Sequence, residues 1–255
     1  MFWAWIGALL VGLTLGLLGS GGSILTVPVL VYLVDEPEKL AIAESLGIVA
    51  LISLIGAIPF AFKRQVNWRS VVLFGVPGMA GAYLGAYLSV FMSGALQLAI
   101  FAGVMLVAAV MMLRQQSGAL GKTKGAYPAW RIVVDGFVVG VLTGIVGVGG
   151  GFLIVPALVL FVGLPMHQAI GTSLTIIAVK SLAGFYKYLD VLEQANLTVH
   201  WRLILIFSAI GIAGSFVGGK MGEYISQQRL KRIFAVFLIV MGLYILGRNL
   251  LLLGG

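Results

Sequence analysis

Two glycine clusters stand where backbone amides could do the chemistry. Gly19-Ser20-Gly21-Gly22-Ser23 and Gly147-Val148-Gly149-Gly150-Gly151 lie at matched positions, and each opens a short apolar stretch carrying a proline, Pro28 or Pro156. At the start of a helix the first N–H groups have no intrahelical partner, and the dipole end is positive. Glycine leaves such amides without side-chain cover, so each turn is suited to hold an anion with no formal positive charge. The alternative is that glycine merely lets broken helices pack closely. Recurrence at matched positions favours the anion reading. The two prolines are structural and fix the geometry after each turn.

A second constellation follows each cluster. Glu44-Ser45 matches Thr172-Ser173. The hydroxyls of Ser45, Thr172 and Ser173 could complete an anion's coordination, or they could cap and bond within a helix bundle. Glu44 breaks the symmetry, as a carrier of a coupling proton or as a residue near an interface. Lys180 falls about halfway along an apolar segment, where the other copy has Ile52. An intramembrane charge is a functional candidate. It could meet an anionic substrate, pair with Asp135 or Glu44, or only neutralise a carboxylate. Asp135 is a gating or coupling candidate near its segment's end.

Other signals carry little. His167 and His200 lack metal-ligand spacing, and cysteine is absent, so no metal and no cofactor is expected. The stretch 214–221, GSFVGGKM, has Met221 where a phosphate-binding loop needs Ser or Thr. Its Gly214-x-x-x-Gly218 pattern, mirrored by Gly81-x-x-x-Gly85, reads better as close helix packing. No nucleophile–base pair points to an enzyme.

The positioning elements come from an internal duplication. Residues 16–30 and 144–158 align without a gap, with eight of fifteen identical, and 41–56 and 169–184 share nine of sixteen. The chain is 61% hydrophobic and 9% charged, and 95–113 contains no charge. A soluble domain averages about 25% charged, so this is a polytopic, all-α membrane protein set in a lipid bilayer. Its net charge of +8 is a matter of topology, not of nucleic acid. Segments are expected at about 2–18, 24–34, 40–62, 69–91 and 95–113, then 131–146, 152–164, 168–189, 201–222 and 231–250. Residues 1–113 form the first repeat, 114–130 a polar linker and 131–255 the second repeat. The second segment of each copy is too short to cross, so each repeat is expected to hold three full spans plus a glycine-broken re-entrant hairpin that turns at the midplane.

An odd number of crossings per copy makes the second copy inverted. Eleven of the sixteen Lys and Arg residues then fall on one face, with Lys63, Arg64, Arg69, the linker and 220–232. That face is cytoplasmic by the positive-inside rule, which puts both termini outside. Two inverted copies form the outline of a transporter with its site where they meet. Alternating access would come from one repeat moving on the other.

The doubled pattern of glycine cluster, Leu, Val-Pro and Leu resembles the sulfite exporter TauE/SafE family, over nearly the whole chain. The resemblance implies a cytoplasmic-membrane transporter of sulfur-containing anions such as sulfite, thiosulfate or organosulfonates. The sequence departs from the pattern at Ser23, where the second copy has Gly151, and at Glu44, where the family more often has a small or hydroxyl residue. The expectation is a secondary transporter with the anion at the midplane between the two turns, an anion channel being the alternative. A coupling proton or cation and a homodimer are both compatible with it.

Overall fold

A computed structural model describes residues 2–19, 21–114, 128–146, 151–160 and 162–253. They fall into ten helical segments: α1 (Phe2–Leu18), α2 (Gly21–Leu33), α3 (Glu38–Phe62), α4 (Trp68–Phe91), α5 (Gly94–Arg114), α6 (Ala129–Val146), α7 (Gly151–Leu160), α8 (Met166–Gln194), α9 (Trp201–Glu223) and α10 (Gln227–Leu253). Each helix of the first copy matches the one five places later. Five of these segments are long and apolar enough to cross a membrane: α3, α4, the Gly94–Met111 part of α5, α8 and α9. Most of the linker, 115–127, lies outside the described residues.

Local chemistry sets the boundaries. Pro37 and Pro165, matched in the repeat, hold the extended backbone just before α3 and α8. Asn67 caps α4 by accepting from the Ser70 N–H (3.0 Å). α3 bends at Ala57, between Glu38–Gly56 and Ile58–Phe62. Pro59, just past the bend, lacks the N–H that a continuous helix would use. Large apolar side chains such as Val107, Leu205 and Val240 face outward, while Ser45, Ser53, Ser181, Ser208 and Ser215 are buried. That polarity suits lipid as the surrounding solvent. Trp3, Trp68, Trp130 and Trp201 are exposed at helix ends, whereas Trp5 turns inward against Phe207.

Glycine contacts give the helix directions. Gly7 packs on Val29 and Leu33, and Gly22 on Val11 and Leu15, so α2 runs back along α1 as a hairpin. Gly12 abuts Gly211, Gly16 abuts Ser215 and Gly218 abuts Leu13, so α1 runs parallel to α9. In the symmetry-related pair Gly81 abuts Phe137 and Gly85 abuts Val141, so α4 and α6 are also parallel. A Cβ added at Gly12, Gly16, Gly81, Gly85 or Gly218 would fall on a backbone carbonyl of the facing helix. α3 and α8 are antiparallel, with Leu46 beside Gly184, Gly47 beside Phe185 and Phe60 beside Gly171. An inverted relation between copies requires that of this pair.

One expectation changes. The α1–α2 hairpin was expected to turn at the midplane. Instead Leu17 reaches Gly222, next to the end of α9, because the 17 residues of α1 run about 25 Å. The main contacts join the copies: α1 with α9, α4 with α6, α3 with α8 and α5 with α10. Each copy's long hairpin helix is held by the other copy.

Candidate functional site

Lys180 lies midway between Met166 and Gln194, the ends of α8, and is 1% exposed. Its stem runs through space left by Gly78, where an added Cβ would lie 2.8 Å from Cδ. Its Nζ donates to Thr143 Oγ1 (3.2 Å), and that hydroxyl donates to the Gly140 carbonyl (2.9 Å). Among the described residues no carboxylate forms an ion pair with Lys180, so the expected pairing with Asp135 or Glu44 is not made. A buried cation met only by a neutral hydroxyl is costly unless an anion completes it.

More polar groups lie along the same helices. Tyr188 is fully buried, with its hydroxyl 3.2 Å from the Gly144 carbonyl and 3.1 Å from that of Ile145. Gln97 Nε2 donates to the Ile145 carbonyl (2.6 Å) and to Tyr188 Oη (3.2 Å). These contacts satisfy carbonyls at the end of α6, just before the second glycine cluster. Gln97 Oε1 and the Ser181 hydroxyl are buried without a hydrogen-bond partner. So is the hydroxyl of Ser53, the repeat mate of Ser181. Sequence reasoning missed this group. Ser53 and Ser181 carried a signal as an identical pair in the aligned copies. Gln97 carried one as the lone polar side chain of a charge-free stretch. Thr143 and Tyr188 carried none.

The expected glycine and hydroxyl ligands are placed differently. Gly19 has φ +71°, a conformation suited to glycine, and an added Cβ would lie 2.7 Å from Ile170 Cα. Ser173 Oγ lies within hydrogen-bond reach of the Gly19 (2.8 Å) and Ile170 (2.9 Å) carbonyls. Ser45 Oγ donates to the Ile42 carbonyl (2.7 Å). Both serines therefore make bonds within the bundle. Gly21 opens α2, Gly22 is packed on α1, and Gly151 opens α7. Ser20, Gly147, Val148, Gly149 and Gly150 and the Ser23 side chain lie outside the described residues.

The structure does not bring Ser45 and Ser173 to one point. Given the Leu46–Gly184 and Gly47–Phe185 contacts, Ser45 is level with about residue 186 of α8, some 20 Å along the axis from Ser173. Lys180 lies between those levels.

The two ends of the bundle differ in charge. At the basic end a cavity of about 240 Å³ is lined by Gly56, Phe60, Lys63, Ser215, Lys220 and Glu223, among others. Lys63 pairs with Glu223, while no acidic partner joins Lys220 among the described residues. The Ser215 hydroxyl is buried and unpartnered. Phe60, in the cavity wall, packs on Gly171 beside Thr172. At the acidic end Glu44 is fully buried and accepts the His200 N–H (2.7 Å). Thr172, its repeat mate, accepts the matching Asn67 N–H (2.9 Å). Asp135 is half-buried on α6.

A protein-family profile described as sulfite exporter TauE/SafE matches residues 4–245. A probable membrane transporter protein of Xylella fastidiosa is 33% identical over 94% of this chain and 92% of its own length. Probable membrane transporter proteins of Methanocaldococcus jannaschii (27%, over 93% of this chain and 94% of theirs) and Bacillus subtilis (28%, over 91% of each) are also similar. No solved structure gives a significant match.

Proposed function

The chain belongs to the sulfite exporter TauE/SafE family of membrane transporters, and from that premise we propose that it is a secondary transporter of a small sulfur-containing anion, sulfite, thiosulfate or an organosulfonate, bound beside Lys180. One observation carries the reading: a buried amino group at the centre of α8 has a neutral hydroxyl, and no carboxylate, as its partner. An oxyanion there would accept from Nζ. The first glycine turn is a station on one side of this centre. It lies beside Ser173 and Thr172, toward the basic cavity, where Lys220 and Ser215 would receive the anion. The second turn follows the α6 end that Gln97 and Tyr188 hold. The basic end is cytoplasmic in this reading, both termini are outside, and the membrane is the cytoplasmic one.

Alternating access would use mixed bodies. The α1·α9 and α4·α6 pairs are joined backbone to backbone, which suits rigid units that rock against the α3·α8 pair. Lys180 reaches from α8 to Thr143 on α6 and past Gly78 on α4, so it bridges such a unit and the central pair.

Reconstituted protein should move sulfite, thiosulfate or a sulfonate saturably, each competing with the others and chloride competing poorly. Electrical currents above carrier turnover would favour the channel alternative. Equal, non-saturable flux of all small anions would refute the transporter reading.

A further inference from the structure

At the acidic end, Glu36, Glu44 and His200 converge from the α2–α3 loop, from α3 and from the residue before α9. His200 Nδ1 lies 3.0 Å from Glu36 Oε1 and 3.5 Å from Glu44 Oε1, and all three atoms lie within 4.8 Å of one another. We propose that this cluster is a binding site for a divalent transition-metal ion of the zinc class, bridging the two repeats at the acidic end.

Three observations support the assignment. The ligand set is one imidazole nitrogen and two carboxylate oxygens. A tetrahedral zinc centre with bonds of about 2.0–2.1 Å has ligand-to-ligand edges of about 3.3 Å, and the two edges to Nδ1 lie either side of that value. Second, Glu44 is fully buried and its Oε2 has no hydrogen-bond partner. Such a carboxylate needs a cation or a proton to be stable. Third, the repeat supplies an internal comparison. Thr172 accepts the Asn67 N–H just as Glu44 accepts the His200 N–H. A neutral hydroxyl therefore suffices for the inter-repeat bond, and the two carboxylates and the imidazole at the other end exceed what the bond requires. A metal ion accounts for the surplus.

Access is available. The His200 side chain is 53% exposed, and His200 also lines a surface cavity of about 430 Å³ with Trp5, Arg202 and Phe207. Arg202 is the nearby cation that a bound metal must tolerate. The ligands come from three separate elements, 8 and 156 residues apart in sequence. Spacing along the chain therefore could not reveal them, and the sequence reading expected no metal.

The test uses the full chain, free of any affinity tag and stripped with chelator, titrated with zinc chloride by calorimetry and followed by thermal unfolding. One zinc ion per chain is expected, with a rise in melting temperature and no comparable response to magnesium. His200→Ala and Glu36→Gln should each weaken binding by at least about tenfold, while melting with wild type when no metal is present. His167→Ala should bind as wild type, since His167 meets the Gly222 carbonyl at the opposite end. Absence of saturable zinc binding, or equal binding by wild type, His200→Ala and Glu36→Gln, would overturn the proposal.

Discussion

Lys180→Met is expected to abolish anion flux in proteoliposomes while the protein melts no lower than wild type. Lys180 is 1% exposed and its amino group meets Thr143. Methionine keeps most of the stem volume beside Gly78 and removes a charge that is expensive to bury without an anion. Losing one member of a buried ion pair costs about 3–5 kcal/mol, more than about a hundredfold in affinity. Flux should fall at least that far. The stability readout separates this account from a structural one. A lysine needed for folding would give a variant that melts early, whereas a lysine held for substrate gives a stable, inactive one. Unchanged flux would remove Lys180 from the site.

Gly16→Leu or Gly81→Leu is expected to yield no folded protein. An added Cβ at Gly16 falls on the Ser215 carbonyl, and at Gly81 on that of Phe137. Neither obstacle is the end of a flexible side chain, so the whole helix pair would have to separate. Gly103, with nothing within 4 Å of an added Cβ, is the control. Gly103→Leu should be extracted in detergent and elute as a single species like wild type, while the other two should aggregate or be degraded. Normal elution of Gly16→Leu would show that the α1·α9 contact is not as close as described.

The segments were legible in the sequence because lipid-facing helices are apolar all round, and because matched prolines and glycines punctuate both copies. Gly214-x-x-x-Gly218 and Gly81-x-x-x-Gly85 were correctly read as packing motifs, although their partners could not be named. Nothing along the chain says that α1 will pack on α9, or α6 on α4. For the same reason the depth of the turn was misjudged. A short α2 suggests a shallow hairpin, but the depth is set by α1, which lies along α9 as far as Gly222.

The site was legible where one residue departs from its repeat mate. Lys180 against Ile52 marks the buried amine, and Glu44 against Thr172 marks the acidic cluster. Ser45 and Ser173 each reach a backbone carbonyl, which is one of the two readings the sequence allows. A hydroxyl in an apolar bundle satisfies itself on a nearby carbonyl, so identity between copies here reflects a shared backbone bond. Thr143 and Tyr188 could not be found at all, because their roles depend on which helix each one faces.

Binding of radiolabelled sulfite or thiosulfate to purified wild-type and Lys180→Met protein, in the same detergent and at the same pH, tests the central claim most directly. The account predicts one saturable site per chain in wild type and none in Lys180→Met, with both proteins folded. Saturable binding of equal affinity in the two would place the anion elsewhere and contradict it.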